Sequence, residues 1–135
     1  MSNVFSNLEP KLAAALHSKG WEPTPVQVST LPELCEGGDR IIVAPTGSGK
    51  TIAFGIPVIV RTAGSRPKAP SALVLAPTRE LAEQIADELR PLAQAHDLWV
   101  LSAYGGTNIN RQITQGPPVC QIPPNVARAP SNRAR

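Results

Sequence analysis

The chain has 135 residues, of which 41% are hydrophobic and only 4% aromatic, so one domain with a largely aliphatic core is expected. Its net charge is +3, but residues 1–115 hold ten Lys or Arg and ten Asp or Glu, and the excess comes from Arg128, Arg133 and Arg135. This balance excludes a broadly basic surface, so any nucleic acid would be bound through local contacts.

Cys35 and Cys120 are the only cysteines of the chain, and neither belongs to a CxxC pair or a Cys/His cluster. This pattern excludes a zinc site and a disulfide framework. A signal core and an apolar run of membrane-spanning length are also missing from the sequence. We therefore expect a soluble, cytoplasmic protein with no membrane partner, and the sequence assigns no oligomeric state.

Two helices are predicted in the N-terminal part of the chain. The first is expected to begin near Ser6 or Asn7 and to end before Gly20, because Ser and Asn are good N-caps and Gly suits the position after a helix. The second is expected to begin at Pro25 and to end before Gly37-Gly38. Its N-terminus carries the spacing of a capping box, formed by Thr24 and Gln27.

Three short apolar runs, at residues 41–44, 72–76 and 98–103, have the composition of strands buried on both faces. They alternate with a helix predicted over residues 50–62 and another capped by Thr78. Alternation of strands and helices is typical of an α/β fold, with a parallel sheet flanked by helices and right-handed crossovers.

The composition divides the chain into three parts. We expect an N-terminal helical segment at residues 1–38 and a partial α/β domain at residues 39–115, interrupted by a linker at 63–70 and ending in a helix at 108–115. Residues 116–135 hold five of the 15 prolines and show no apolar periodicity. This composition predicts a disordered tail.

A phosphate-binding loop follows the first predicted strand. Residues 44–51 match the pattern GxxxxGK[ST], except that Ala44 replaces the first glycine. Gly47 and Gly49 allow backbone N–H groups to turn inward around phosphate oxygens. Lys50 would reach the β- and γ-phosphates, and Thr51 would bind Mg²⁺. An ordinary glycine turn is the alternative, although the strand and helix around the loop favour a phosphate site, lined also by Thr46 and Ser48.

Several segments in order resemble the DEAD-box RNA helicase family. Gly20-Trp21 with Pro23-Thr24-Pro25-Val26-Gln27 resembles its Q motif, and residues 44–51 resemble its motif I. Pro77-Thr78-Arg79-Glu80-Leu81-Ala82 resembles motif Ia, and Gly105-Gly106 resembles its glycine doublet. The likeness covers about residues 5–115 and implies a P-loop NTPase of the RecA-like class, of which this chain carries an incomplete sheet.

The resemblance implies that the nucleotide is ATP. Gln27 would hydrogen-bond the adenine edge, Trp21 would stack on the ring, and Thr24 would belong to the same pocket. The alternatives are a capping role for Gln27 and a core position for Trp21. The spacing from Gly20 to Gln27 is one residue shorter than the family pattern. Phe5 resembles a family aromatic that supports the adenine pocket, or serves as a hydrophobic staple.

RNA is the second partner that the resemblance implies. Pro77, Thr78 and Arg79 of motif Ia and the Gly105-Gly106 doublet would contact the RNA backbone, since a helix N-terminus beside an arginine suits a phosphate. The alternative is that Thr78 is a plain N-cap and Arg79 an exposed charge.

Parts of the family's machinery have no counterpart in the sequence. Asp97 is the last acidic residue, so the Asp-Glu-Ala-Asp segment is missing, and the family pattern stops within residues 112–116. We expect an N-terminal helicase fragment whose tail results from out-of-frame translation or a mispredicted gene end. Such a fragment would bind ATP weakly, hydrolyse it poorly and expose an apolar sheet edge. The alternatives are a non-catalytic module that binds nucleic acid or a partner protein, and an unrelated P-loop kinase or transport ATPase.

Overall fold

The computed structural model of the chain describes residues 3–64 and 70–106. The helix expected at 108–115 and the tail expected at 116–135 lie outside these residues. A 3-10 turn at Val4–Asn7 is followed by α1 (Pro10–Ser18), α2 (Pro25–Glu36), α3 (Lys50–Thr62) and α4 (Arg79–Gln94). None of these helices has the length and apolar character needed to cross a membrane.

The starts of three helices confirm the sequence prediction. α2 begins at Pro25, α3 begins at Lys50, and the hydroxyl of Thr78 caps α4 by accepting a hydrogen bond from the Leu81 N–H at 3.2 Å. Glycines end α1 and α2 as expected, with positive φ at Gly20 and Gly37.

The predicted start of the first helix is wrong. α1 begins at Pro10, whose fixed φ and missing N–H suit the first helical position and disfavour a helical residue before it. The preceding residues form the 3-10 turn instead. The side chain of Asn3 caps this turn by accepting a hydrogen bond from the Phe5 N–H at 3.0 Å.

The core lies between the four helices and the 3-10 turn. α2 packs on α3, α3 packs on α4, and α1 packs on α4. Gly55 of α3 faces Leu89 of α4 so closely that an added Cβ would collide with the leucine side chain. The core joins residues from both sides of the expected boundary at residue 38, namely Val4, Phe5, Leu12, Leu16, Leu31, Ile52, Ile56, Ile59, Leu89, Leu92 and Ala93.

The predicted parallel sheet is not formed in the described residues. Residues 41–44, 72–76 and 98–103 run without helical structure, and no backbone hydrogen bond joins any two of these segments. An apolar run predicts the tendency to form a strand, but a strand also needs a neighbour about 4.8 Å away, and successive strands are not always neighbours. Ile41 and Val43 are 94% and 92% exposed, so apolar residues of the first of these segments are left uncovered.

Candidate nucleotide-binding site and adjoining surface

The turn before α3 has the backbone shape of an anion-binding loop. Gly47 and Gly49 have φ values of +78° and +88°, in the left-handed region that side chains disfavour. The N–H of Ser48 donates to the carbonyl oxygen of Pro45 at 3.3 Å, which closes the turn. Gly49 is the N-cap of α3, so the loop leads directly into a helix N-terminus, where anions are favoured.

Lys50 folds back over this loop. Its ammonium group donates hydrogen bonds to the carbonyl oxygens of Ala44 and Pro45, the latter at 2.7 Å. Thr51 follows in the first turn of α3, while Thr46 lies exposed on the loop. The positive charge is therefore held at the loop by neutral carbonyl groups. A phosphate oxygen would be a stronger partner for it, since it carries negative charge.

Two hydroxyl groups beside the loop lack partners. The Oγ of Ser48 and the Oγ1 of Thr24 are buried and form no hydrogen bond with any described residue. Thr24 forms a capping box with Gln27, in which its hydroxyl faces the backbone N–H of Gln27 without reaching good hydrogen-bond geometry. A buried polar atom without a partner is costly. These two hydroxyls fit a ligand that accepts hydrogen bonds, as the oxygens of a nucleotide phosphate do.

Gln27 connects α2 to the loop. Its side chain is only 4% exposed, and its amide oxygen accepts a hydrogen bond from the Thr24 N–H at 3.0 Å. The amide nitrogen donates to the carbonyl oxygen of Gly49 at 2.9 Å. The predicted capping role is confirmed by the first bond. The bond to Gly49 was not predicted, because it joins residues 22 positions apart.

Trp21 and Phe5 both pack with the hydrophobic core. Trp21 is half-buried, packs against the core and lines a cleft of about 480 Å³. The other residues of that cleft are Lys19 and polar residues of α4, among them Glu80 and Gln84. Phe5 is 5% exposed and belongs to the core. Gln27 thus contacts the phosphate loop directly, whereas the contact of Trp21 with adenine stays a prediction.

The two segments predicted to bind RNA lie on either side of a single tyrosine. The guanidinium carbon of Arg79 lies 4.5 Å from the centroid of the Tyr104 ring, and Gly105-Gly106 follow directly along the chain. Both glycines are exposed, and a Cβ added to either would meet nothing within 4 Å. Open space of this kind admits a phosphate close to the main chain. Pro77 and Thr78 are exposed beside Arg79.

Sequence reasoning missed the side chains that join these segments. Ser102 donates its hydroxyl hydrogen to Glu83 Oε1 at 2.9 Å, and Tyr104 also hydrogen-bonds the Glu83 carboxylate. The bond from Tyr104 is the largest cause that lowers the pKa of Glu83, followed by the bond from Ser102. Nearby Arg90 and Arg79 act in the same direction, while partial burial opposes them. A weak signal was present, because Tyr104 is the only tyrosine of the chain and directly precedes the glycine doublet.

A metal ion at this site would need the phosphates of a bound nucleotide as additional ligands. Residues 3–64 and 70–106 contain no group of three His, Cys, Asp or Glu side chains able to hold a metal. Thr51 offers one hydroxyl oxygen at the start of α3. Mg²⁺ is commonly bound by one or two protein oxygens, several waters and substrate phosphates, and Thr51 fits such a role.

A glycine-containing loop at a helix N-terminus, with a lysine as the first helical residue, defines a P-loop nucleotide-binding protein. Residues 24–125 match the DEAD/DEAH box helicase family. This match covers more than half of the chain, and the protein therefore belongs to that family.

Known proteins resemble the chain over most of its length. The ATP-dependent RNA helicase CshA of Listeria monocytogenes is 43% identical over 107 residues, covering 78% of this chain and 20% of CshA. The crystal structure of the RNA helicase Prp28 from Chaetomium thermophilum bound to ADP is 41% identical with a TM-score of 0.74, covering 79% of this chain and 27% of that one.

A DEAD box protein from Methanococcus jannaschii gives a TM-score of 0.64 at 37% identity, covering 80% of this chain and 30% of that one. The chain thus spans only about a fifth to a third of the relatives that it matches. These likenesses support the expected P-loop, RecA-like fold class, although the sheet is not formed in the described residues.

Proposed function

We propose that the chain is the ATP-binding and RNA-binding part of a DEAD-box ATP-dependent RNA helicase. The hydrogen bond from Gln27 to Gly49 carries this proposal, because it sets the glutamine of the Q motif directly against the phosphate loop. A nucleotide with its phosphates in the loop would bring its base to the same side of the molecule. ADP is bound in one of the similar helicases, which supports an adenine nucleotide as the ligand.

Each part of the loop has a role in this proposal. The backbone N–H groups around Gly47 and Gly49 hold the phosphates, and the Lys50 ammonium leaves the carbonyls of Ala44 and Pro45 for phosphate oxygens. Mg²⁺, when bound, neutralises charge between the phosphates, and Thr51 contributes one oxygen to it. The remaining pocket residues of the proposal are Trp21, Thr24, Gln27, Thr46 and Ser48.

RNA binds through its backbone in this proposal. Thr78 and Arg79 stand at the exposed N-terminus of α4, and Gly105-Gly106 leave open space beside them. Contacts of this kind position a nucleic acid but read little sequence. With charges balanced over residues 1–115, the affinity for RNA should depend on these few contacts.

The 135 residues by themselves are expected to bind ATP weakly, to hydrolyse it poorly and not to unwind RNA. Phosphoryl transfer needs a carboxylate for Mg²⁺ and a group that orients water, and no acidic residue follows Asp97. We also propose a cytoplasmic localisation. The proposed division of the chain is an N-terminal helical segment at residues 1–38, a partial RecA-like domain at 39–115 and a tail at 116–135.

The test compares Lys50→Ala with Lys11→Ala, which removes an exposed positive charge from α1. Binding of fluorescent ATP and GTP analogues is measured with Mg²⁺, together with binding of a short labelled RNA. We expect Lys50→Ala to abolish ATP binding, Lys11→Ala to retain it, and ATP to be preferred over GTP.

Other results would favour other functions. Equal binding of ATP and GTP would indicate an unrelated P-loop NTPase. RNA binding without any ATP binding by the original chain would indicate a non-catalytic module. Strong RNA-stimulated ATP hydrolysis that Lys50→Ala abolishes would overturn the expectation of slow hydrolysis.

A further inference from the structure

Arg79 stacks on Tyr104, and this contact fixes where the arginine lies. The guanidinium carbon is 4.5 Å from the ring centroid. A guanidinium that lies over an aromatic ring uses its flat face for the contact, so the N–H groups in its plane remain free to bind an anion. Because Gly105 follows Tyr104 directly, the same ring sets the distance between Arg79 and the glycine turn.

Tyr104 is itself held in place by α4. Its side chain hydrogen-bonds Glu83, and Ser102 from the same segment donates to Glu83 at 2.9 Å. Arg90 Nη2 lies 3.8 Å from the other carboxylate oxygen of Glu83. No backbone hydrogen bond pairs residues 99–104 with another described segment. Together with the packing of Val100 against the core, these side-chain bonds hold the segment against α4.

Glu83 is also the residue best placed to capture Arg79. The two are four positions apart on α4, a spacing at which opposite charges commonly pair. Within the described residues the ion pair of Glu83 is with Arg90, and its hydrogen bonds come from Ser102 and Tyr104. Tyr104 thus offers its ring to Arg79, while the Glu83 carboxylate is engaged by Arg90, Ser102 and Tyr104.

We propose that Tyr104 is a positioning residue for RNA binding, which holds the Arg79 guanidinium beside the Gly105-Gly106 turn so that both bind the phosphate backbone as one surface. This inference rests on the proposed binding of RNA at these segments. It adds Tyr104 as the residue that joins them and Glu83 as the residue that anchors Tyr104.

The experiment uses the 135-residue chain and a short fluorescein-labelled oligouridine, with affinity measured by fluorescence anisotropy over a series of KCl concentrations. Tyr104→Leu is expected to weaken binding about two- to fivefold, the range of a cation–π contact at an exposed site. It should also reduce the slope of log affinity against log salt by up to about 0.7, the value of one phosphate contact on a single strand. Tyr104→Phe keeps the ring but loses the hydroxyl that bonds Glu83, and is expected to weaken binding less than Tyr104→Leu.

The decisive comparison repeats Tyr104→Leu in a chain that already carries Arg79→Ala. If Tyr104 acts through Arg79, the second change has no further effect on RNA affinity. An equal loss in both backgrounds would mean a general structural role and would overturn the proposal. So would an equal loss for Tyr104→Phe and Tyr104→Leu.

Two further measurements separate the possible failures. If Arg79→Ala leaves RNA affinity unchanged, the proposed RNA function of this surface is overturned, and the role of Tyr104 with it. If Arg79→Ala weakens binding while Tyr104→Leu does not, only the role of Tyr104 is overturned. Should Tyr104→Leu fail to fold, the Arg79 Nε–H resonance of the original chain, identified by its loss in Arg79→Lys, should show an upfield ring-current shift. An unshifted resonance would contradict the stacking.

Discussion

The side-chain amide nitrogen of Gln27 donates a hydrogen bond to the carbonyl oxygen of Gly49 over 2.9 Å, and so ties the start of α2 to the phosphate loop. The amide oxygen of Gln27 is engaged as well, by the Thr24 N–H. Both ends of a buried amide are therefore satisfied within the protein. A nucleotide base that hydrogen-bonds Gln27 in place of Gly49 or Thr24 would therefore change the contact between α2 and the phosphate loop.

Removal of the Gln27 amide should lower both stability and nucleotide affinity. Gln27→Ala loses two part-buried hydrogen bonds, and we expect the free energy of unfolding to fall by about 1–3 kcal/mol. Gln84→Ala is the matched control, because this exposed glutamine makes only a 3.4 Å contact with Glu88, and it should change stability by less than about 0.5 kcal/mol. Urea unfolding followed by circular dichroism measures the stability of both variants, and titration with a fluorescent ATP analogue measures their nucleotide affinity. Equal effects of the two variants would contradict the stabilising role of the hydrogen bonds of Gln27 with Thr24 and Gly49.

The two loop glycines should differ in their tolerance of alanine. Both have positive φ, which costs a side chain about 1–2 kcal/mol. The Cβ of Gly47→Ala has open space around it, so this variant should lose only the free energy that the positive φ costs. The Cβ of Gly49→Ala would in addition collide with Gln27 Nε2 and crowd Thr24. We expect Gly49→Ala to cost about 2–4 kcal/mol. The same unfolding experiment tests the order, and a Gly47 variant as unstable as the Gly49 variant would refute it.

Gly55→Ala should destabilise the protein, although glycine to alanine within a helix usually stabilises by about 1 kcal/mol. The added methyl group would collide with Leu89, and overpacking typically costs about 1–3 kcal/mol. In a chain carrying Leu89→Ala the methyl group has room, so Gly55→Ala should there be neutral or stabilising. A thermodynamic cycle over the four proteins measures this coupling, and a stabilising Gly55→Ala in the original chain would show that the helices are not in such close contact.

The ionised carboxylate of Glu83 should contribute to the free energy of unfolding, and this contribution should be lost at low pH. Its hydrogen bond from Tyr104, the bond from Ser102 and the nearby arginines lower its pKa in the folded state. A group with a lowered folded pKa stabilises fully above its unfolded pKa of about 4.3, and the contribution disappears as the pH falls through the lower folded value. Glu83→Gln should therefore weaken the dependence of the urea midpoint on pH below about 4.3.

The control for this experiment is Glu36→Gln at the exposed end of α2. It removes one carboxylate without touching the contacts of Glu83. Identical pH profiles for Glu83→Gln and the original chain, or the same change for both variants, would contradict the assignment to Glu83.

Local sequence signals were sufficient wherever short-range chemistry decides the structure. Thr78 capped α4 as expected, and α3 began at Lys50, because an N-cap or a glycine at the end of a loop acts within one turn of chain. Pro10 shows the limit of such signals. Ser6 and Asn7 were plausible caps, but the proline three to four residues later determined where α1 begins.

Segments that need distant partners were predicted less well. The apolar runs at 41–44, 72–76 and 98–103 have the composition of strands, yet no sheet forms in the described residues, because a strand is completed only by its neighbour. The cluster of Arg79, Glu83, Ser102 and Tyr104 was missed for the same reason. Ser102 and Tyr104 follow Arg79 and Glu83 by 19 to 25 residues along the chain, and the two pairs meet only when the later segment lies against α4.

The sequence by itself determined the phosphate loop, its helix and the family to which they belong, since backbone freedom at Gly47 and Gly49 and the charge of Lys50 are properties of the residues themselves. Only the tertiary structure decided that the amide of Gln27 is bound to Gly49, that Trp21 packs beside α4 and that Tyr104 lies beneath Arg79. These are contacts between segments far apart along the chain. They depend on how the four helices pack, because packing sets the distance between two side chains when the spacing along the sequence does not.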